Sequence, residues 1–294
     1  ESCGVFGQLG LRDLRLVTQA DGTPHREAGA FLFTATSAGP GGFRTGHCSV
    51  WAFDPSAMAL DHRADLFFVR PGGAGRSGSV GVFGDHAVHL VRDDDRWLVA
   101  ASTWGDFDKR RHPVVGATLA TSTDDLLVGQ HVLEAGPLAL PTDGLGSVGT
   151  WDPHLVRTDD GWLATYVSAR RFFDFHPVTA SGPSLDDLRL RAASSDRTAT
   201  EGPTLAQLDG RWRVLASDGR DGPRRHRAAY PVFDLDLHQL GELDASYPTN
   251  LPWPTVFEHD SRWWMLGFDG TTHGGRLLGY GTHGDVVVQA SGRH

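Results

Sequence analysis

The amino-acid sequence predicts an all-β fold, a five-bladed β-propeller built from four-stranded antiparallel blades. The apolar segments are short and rich in Val, Thr, Phe and Trp, and turn clusters with many of the 37 Gly and 16 Pro residues separate them. One seven-residue strand pattern also recurs five times along the chain. A sandwich or a barrel is the alternative, but a gapless fivefold similarity favours a repeat architecture.

Each copy of the repeated pattern begins with an aromatic residue. The copies are 31–37 (FLFTATS), 97–103 (WLVAAST), 162–168 (WLATYVS), 212–218 (WRVLASD) and 263–269 (WWMLGFD). A second short strand and a polar turn precede the last four, so each pair reads as a β-hairpin. The aromatic residues lie 66, 65, 50 and 51 positions apart, which suits a four-stranded blade better than the ~40 to 45 residues of a WD40 blade. We expect a single catalytic domain over residues 1–294.

Composition excludes several classes of function. The chain carries 27 basic and 36 acidic residues and has no block of Lys or Arg, so we expect no nucleic-acid partner. No apolar run approaches the ~18 residues that a membrane-spanning helix needs, so we expect no membrane partner. Cys3 and Cys48 lack the spacing of zinc ligands, and a single disulfide between them remains an alternative. Because the chain begins at Glu1 without Met, we expect a removed leader or a trimmed end. The compartment stays open, with secretion slightly favoured over the cytoplasm. We also expect a monomer.

Three carboxylates fall at corresponding positions of the repeat. The residues just before the first strand of each blade should converge at one mouth of the central channel, and they lie ten or eleven positions before the aromatic residue. This count selects Asp21, Asp152 and Glu201, and places His86 and Trp253 in two other blades. Acids that share a site raise the pKa of at least one of them, which keeps a general acid protonated. Two carboxyl groups ~6.5 to 9.5 Å apart are what inverting glycoside hydrolysis requires.

Two motifs carry a family resemblance. The segments WDPHL (151–155) and TEGPTL (200–205) resemble the third-blade and fourth-blade motifs of glycoside hydrolase family 43, whose members are five-bladed propellers. The resemblance implies that Glu201 is the general acid, that Asp152 tunes and orients it, and that arabinofuranosides or related pentosides of plant or microbial polysaccharides are the substrate. A glycoside phosphorylase and a non-catalytic carbohydrate-binding propeller are the alternatives.

The first blade departs from the family pattern. The family's general base is an Asp in an Asp-Pro pair, whereas this chain reads DGTP at 21–24. The repeat selects Asp21 as the base, and the competing acids are Glu27, Asp54 and Asp85.

Aromatic, His and Arg residues near the mouth are candidates for substrate binding. Trp151, Trp253 and Trp104 could stack on sugar rings, and His176, His226 and Arg171 lie in predicted loops where they could bind hydroxyl groups. The reaction requires no cofactor. In the family a central His often orders a cation, so a structural calcium or sodium ion in the channel is an open alternative, with His273 in THGG as its candidate ligand.

Overall fold

The computed structural model describes residues 10–72, 80–172, 174–271 and 284–292. Within these ranges the chain forms β-strands and two single-turn 3-10 helices, Gly42–Arg44 and Arg224–His226, and it contains no α-helix. The predicted all-β class is confirmed. No helix of the described ranges has the length and apolar character needed to cross a membrane.

The strands follow one another in five groups, which we call repeats 1 to 5. Repeat 1 contains β1 (Gly10–Leu16), β2 (Thr18–Gln19), β3 (Arg26–Glu27), β4 (Ala30–Ala38), β5 (His47–Asp54), β6 (Ala59–Pro71) and β7 (Val80–Phe83). Repeat 2 contains β8 (His86–Asp93), β9 (Arg96–Ser102), β10 (Ala117–Ser122) and β11 (Gly129–Pro137). Repeat 3 contains β12 (Gly149–Thr158), β13 (Gly161–Arg171), β14 (Asp174–Gly182) and β15 (Arg189–Ala193). Repeat 4 contains β16 (Thr200–Leu208), β17 (Arg211–Asp218), β18 (Pro231–Phe233) and β19 (Gln239–Glu242), and repeat 5 contains β20 (Thr255–His259), β21 (Arg262–Asp269) and β22 (Asp285–Ala290).

Four-stranded antiparallel ladders are the common unit of these repeats. Repeats 3 and 4 each form a separate sheet in chain order, and the described part of repeat 5 forms a three-stranded one. Repeats 1 and 2 have the same antiparallel ladder, but their outer strands β6 and β11 pair in parallel and join them into one sheet. This pairing covers two strand edges that would otherwise be open to another chain.

The five predicted aromatic segments coincide with the second strand of each antiparallel ladder, namely β4, β9, β13, β17 and β21, with Thr103 alone falling just outside β9. At a matching place within or just before the first strand, every repeat has a residue with positive φ: Asp13 (53°), Ala87 (55°), Asp152 (56°), Gly202 (64°) and Trp253 (52°). In repeats 1 to 4 the register of the first hairpin shifts across this residue. Such a bulge bends the strand and re-aims its side chains, so the residues at and just before it occupy matching places in every repeat.

The first hairpin of repeat 1 is longer than the others, and this corrects the register inferred from the sequence. Phe31 follows Asp13 by 18 residues, whereas the aromatic residue follows the bulge residue by 10 in repeats 2 to 5. The extra residues form β2 and β3, which pair with β8 and β4. A count of ten back from Phe31 therefore falls on Asp21 inside this excursion, and the true counterpart of Asp152 is Asp13.

Buried apolar side chains join successive repeats, and the last repeat packs against the first. Leu32 shares one buried cluster with Leu90, Val91 shares another with Leu155, and Val156 shares a third with Val214. The Phe31 and Phe257 rings, in a fourth cluster, lie 4.2 Å apart between centroids. The Leu11 N–H also donates to the Gly284 carbonyl at 2.6 Å. The packing therefore returns to its starting point. Cys48 lies in this core as a free buried thiol, and Cys3 lies outside the described residues.

Candidate active site

A cavity of about 580 Å³ opens where the bulges of the first strands meet. Its lining includes three carboxylates from the first strands of three repeats, Asp13, Asp152 and Glu201, together with Asp221 from a loop of repeat 4 and the basic residues Arg12 and Lys109. Asp13 and Asp152 are bulge residues, and Glu201 immediately precedes the bulge residue Gly202. The fold thus collects acids that are far apart in sequence at one surface, and it does so through one repeated backbone feature.

Glu201 has an environment suited to proton donation near neutral pH. Burial, followed by the negative charge of Asp13, raises its pKa to about 7. Trp151 Nε1 donates to Glu201 Oε1 at 3.3 Å, and this hydrogen bond and the charge of Arg12 act in the opposite direction. The Glu201 carboxyl therefore keeps its proton to a higher pH than a carboxyl in water does.

Asp152 is held rigidly beside Glu201. Its N–H donates to Ser102 Oγ at 2.8 Å, and its Oδ2 accepts a hydrogen bond from the Gly202 N–H at 3.3 Å. Burial, followed by the charge of Glu201, raises the pKa of Asp152 well above its usual value, while Arg15 and the Gly202 N–H oppose that rise. Two carboxyls that resist simultaneous ionisation favour a state in which they hold a proton between them.

Gly202 allows the Trp253 ring to pack against the backbone next to Glu201. A Cβ atom at this position would lie 2.4 Å from the Trp253 ring, and its φ of +64° disfavours other residues. The Glu-Gly pair therefore lets Trp253 pack directly under the backbone that carries Glu201.

Asp13, and not Asp21, is the first-repeat acid of the cavity. Asp21 lies in an exposed turn and accepts hydrogen bonds from Thr23. The competing acids serve other contacts: Glu27 pairs with Arg63, Asp54 caps a turn at Ser56, and buried Asp85 pairs with Arg70. None of these four acids lines the cavity.

A buried guanidinium lies beneath the carboxylates. Arg15 donates to the Asp152 carbonyl at 2.9 Å, to the Pro203 carbonyl at 3.0 Å and to Thr204 Oγ1 at 3.0 Å. Burial lowers its pKa to about 10, which leaves it charged at neutral pH. It therefore ties repeat 1 to repeats 3 and 4.

The cation that the family resemblance suggests stays a prediction, although the residues next to Arg15 do not favour a cation beside them. The described residues contain no group of three His, Cys, Asp or Glu that could hold a metal ion. His89 and His154 occupy the position of Arg15 in repeats 2 and 3. Their rings stack with centroids 3.8 Å apart, and burial lowers the pKa of each well below its usual range. A further cation here would be repelled by the guanidinium. His273, the candidate ligand, lies outside the described residues.

The three predicted tryptophans line the cavity, and the sequence did not indicate four phenylalanines beside them. Trp151, Trp253 and Trp104 are in the lining, with Phe43, Phe107, Phe172 and Phe175. Phe43 stacks on Trp104 at 4.8 Å between ring centroids, and Phe107 stacks on Phe172 at 5.3 Å. These rings form one wall, on which a sugar or an aromatic leaving group could stack.

The other three candidates for substrate binding lie away from the cavity. His176 is buried in β14, Arg171 is exposed beside Asp174, and His226 packs against Asp196. Sequence analysis also missed Asp13 and Arg12. The Arg-Asp pair stands two residues before Arg15 in β1, just as Trp151-Asp152 stands two residues before His154 in β12. That alignment of first strands was the available signal.

No protein-family model matches the sequence, and no curated protein matches it. Solved structures do match. The GH43_1 enzyme from Xanthomonas citri complexed with xylose aligns with a TM-score of 0.63 at 14% identity, covering 98% of this chain and 89% of that one. The inulosucrase from Halalkalicoccus jeotgali bound to kestose gives 0.63 at 14%, covering 92% and 78%. The GH32 β-fructofuranosidase from Bombyx mori gives 0.61 at 13%, covering 96% and 60%. This chain thus has the propeller-like fold of these proteins, and the resemblance to family 43 is confirmed at the level of the fold.

Proposed function

We propose that this chain is a five-bladed β-propeller glycoside hydrolase that cleaves arabinofuranosides or related pentosides with inversion at the anomeric carbon. The observation that carries the proposal is the set of three carboxylates from three repeats in one cavity, one of which has a pKa raised to about 7. An acid that keeps its proton near neutral pH beside an acid available as a base is what glycoside hydrolysis requires.

Each carboxylate has a distinct role in this mechanism. The Asp13 carboxylate removes a proton from a water molecule as the water oxygen bonds to the anomeric carbon. The bond from that carbon to the leaving oxygen breaks, and Glu201 transfers its proton to that oxygen. The negative charge of Asp13 helps to keep the proton on Glu201, and Asp152, fixed by Ser102 and Gly202, tunes Glu201 because the two carboxyls resist simultaneous ionisation.

The presence of Asp13 favours hydrolysis over phosphorolysis. A phosphorylase uses phosphate as the nucleophile and needs basic side chains where a hydrolase has its general base. Here a carboxylate lines the cavity, and its charge acts on both Asp152 and Glu201. A negative group at this place would repel phosphate and would activate water.

The first experiment is cleavage of a panel of aryl furanosides and pyranosides, arabinan and related polymers, with and without phosphate. We expect release that does not depend on phosphate and that falls by about 10²- to 10⁴-fold in Asp13→Asn and in Glu201→Gln. Asp21→Asn is the matched control because that acid lies outside the cavity, and it should keep wild-type activity. NMR of the first-formed anomer tests inversion.

Three outcomes would overturn the proposal in different ways. Release that requires phosphate would make the protein a phosphorylase. Binding of sugars without release from any substrate would favour a carbohydrate-binding propeller. Full activity in Asp13→Asn with loss in Asp21→Asn would return the base to the position that the sequence count selected.

A further inference from the structure

The aromatic side chains on one side of the cavity have no role in the proposed mechanism, yet their contacts start at the proposed acid. Trp151, whose Nε1 donates to Glu201 Oε1 at 3.3 Å, contacts Trp104 with ring centroids 5.5 Å apart. Trp104 in turn contacts Phe43 at 4.8 Å and Phe107 at 5.0 Å. Because the leaving oxygen takes the Glu201 proton, the group attached to that oxygen starts beside the first ring of this series.

Two rings of this series are accessible to a ligand. Phe43 lies in the single-turn helix between β4 and β5, and the residue is 42% exposed although it lines the cavity. Phe172 follows β13 and is half-buried. Buried Trp104 and Phe107 support these two rings, since Phe43 stacks on Trp104 and Phe172 stacks on Phe107 at 5.3 Å. Apolar ring area that faces water favours binding of an apolar ligand.

The chemistry of these side chains favours a flat apolar group over a second sugar. The rings of Phe43, Phe107 and Phe172 carry no hydrogen-bonding atom, so the hydroxyl groups of a sugar placed on them would find no partner in these rings. Lys109, with its Nζ 5.5 Å from the Phe172 centroid, lies at the end of the series opposite Trp151. Polar ligands are held by polar groups placed to match them, whereas an aryl group needs only area and ring stacking.

We propose that this aromatic wall, formed by Trp151, Trp104, Phe43, Phe107 and Phe172, binds the leaving group, and that this group is an aromatic ring and not a further sugar. Phe43 and Phe172 contact the ring, while the sugar that is cleaved from it lies between Asp13 and Glu201. The substrates are therefore glycosides of aromatic alcohols. The inference rests on the proposed glycosidase function and names the leaving group of that reaction.

Four glycosides of the best sugar in the panel test the leaving group: methyl, benzyl, cyclohexylmethyl and the corresponding disaccharide. Benzyl alcohol and methanol are similarly acidic, so their glycosides differ in the ring and little in intrinsic reactivity. The cyclohexylmethyl group keeps the apolar volume without an aromatic face. We expect wild type to have a kcat/KM about tenfold higher on the benzyl glycoside than on the methyl glycoside and the disaccharide, with cyclohexylmethyl between them.

Substitutions of the accessible rings test which side chains make the contact. Phe43→Ala removes the ring, whereas Phe43→Leu and Phe172→Leu keep apolar volume without it. Leu240→Ala is the matched control, because it shortens an exposed apolar side chain of β19 outside the cavity lining.

The readout is the benzyl-to-methyl ratio of kcat/KM, with the melting temperature of each variant. We expect Phe43→Ala to lower this ratio about five- to tenfold and the two Leu variants to lower it less, while Leu240→Ala keeps the wild-type ratio. A fold defect would lower activity on both glycosides and leave the ratio unchanged. The dissociation constants of the benzyl and methyl glycosides for Glu201→Gln, with and without Phe43→Ala, give the same comparison without turnover.

Results that overturn this inference differ from those that overturn the glycosidase. If wild type cleaves all four glycosides with similar kcat/KM, or if the ratio is unchanged in the Phe43 and Phe172 variants, the wall does not bind the leaving group and the hydrolase stands. If the disaccharide is the best substrate and Phe43→Ala impairs its cleavage most, the wall binds a sugar and the inference is wrong, again with the hydrolase intact. If no glycoside is cleaved, the glycosidase proposal fails, and the assignment of a leaving group fails with it.

Discussion

In the proposed mechanism the Glu201 carboxyl must carry a proton, so its raised pKa should set the pH range of the reaction. Because that pKa is about 7, we predict that kcat/KM on a glycoside with a poor leaving group falls tenfold per pH unit above about pH 7. The measurement is a pH profile from pH 5 to 9. Glu201→Gln should lose this basic limb together with most of the activity. A limb at the same pH in Glu201→Gln would assign it to another group.

The same pKa shift makes Glu201 a cost to stability at alkaline pH. Its folded pKa of about 7 exceeds the usual value of 4.5, so between these pH values the folded state holds a proton that the unfolded chain has lost. The free energy of unfolding therefore falls as pH rises through this window. We predict that Glu201→Gln is more stable than wild type by about 1 to 3 kcal/mol at pH 8 and equal to it at pH 4. Urea unfolding at both pH values checks this, and an equal gain at both would contradict it.

At the scale of strands, hydroxyl groups at one position of the repeat hold the bulges. The sixth residue of the aromatic segment is Thr36, Ser102 or Ser217 in three repeats, and each hydroxyl accepts from the N–H of the bulge residue in the next repeat. In repeat 3 the sixth residue is Val167, which has no hydroxyl, and the Gly202 N–H donates to the Asp152 carboxylate instead. Because Val167 offers no acceptor in repeat 3, the N–H of the bulge residue Gly202 bonds to a carboxylate of the cavity, Asp152.

This arrangement gives a matched pair of substitutions. We predict that Ser102→Ala and Ser217→Ala each lower the free energy of unfolding by about 1 to 3 kcal/mol, because each leaves a buried N–H without an acceptor. Ser102→Ala should lower kcat by more than Ser217→Ala, because its partner is the N–H of Asp152, whereas Ser217 holds Trp253, which lines the cavity but is not one of the proposed catalytic carboxyls. The measurements are urea unfolding and kcat on one substrate. Equal kcat values in the two variants would argue against positioning of Asp152 through this bond.

The strands that repeat could be predicted from sequence, and the excursion in the first hairpin could not. Trp162 and Trp212 follow Asp152 and Gly202 by ten residues, so the count that found Asp152 and Glu201 was sound in those repeats. Between β1 and β4 the chain adds residues that pair with neighbouring strands, and no local pattern marks an insertion whose pairing is non-local. The count therefore reached Asp21 when the cavity contains Asp13.

At the scale of the whole molecule, the cavity combines carboxylates from the repeated first strands with aromatic side chains from loops that do not repeat. The carboxylates come from bulges at matching positions, and for this reason two of the three were found in the sequence. The aromatic wall comes from loops between strands, with Phe43, Phe107 and Phe172 from three different repeats. Loops diverge in length and sequence within a repeat protein, so periodicity carries no information about them. Substrate preference is expected to depend on these loops more than on the first-strand bulges that carry the carboxylates.

Packing of repeat 5 against repeat 1 connects stability to the candidate site, because Asp13, the proposed base, lies on β1, which makes this contact. Leu11, two residues before Asp13, bonds to the Gly284 carbonyl, and a Cβ on Gly284 would lie 2.0 Å from the Leu11 carbonyl oxygen. We predict that Gly284→Ala lowers the free energy of unfolding by about 1 to 3 kcal/mol and lowers kcat by displacing β1 and with it Asp13. Gly292→Ala is the control, since a Cβ there meets nothing within 4 Å. Urea unfolding and kcat distinguish the two variants, and a stability loss in Gly284→Ala with unchanged kcat would show that Asp13 keeps its place when the closure is strained.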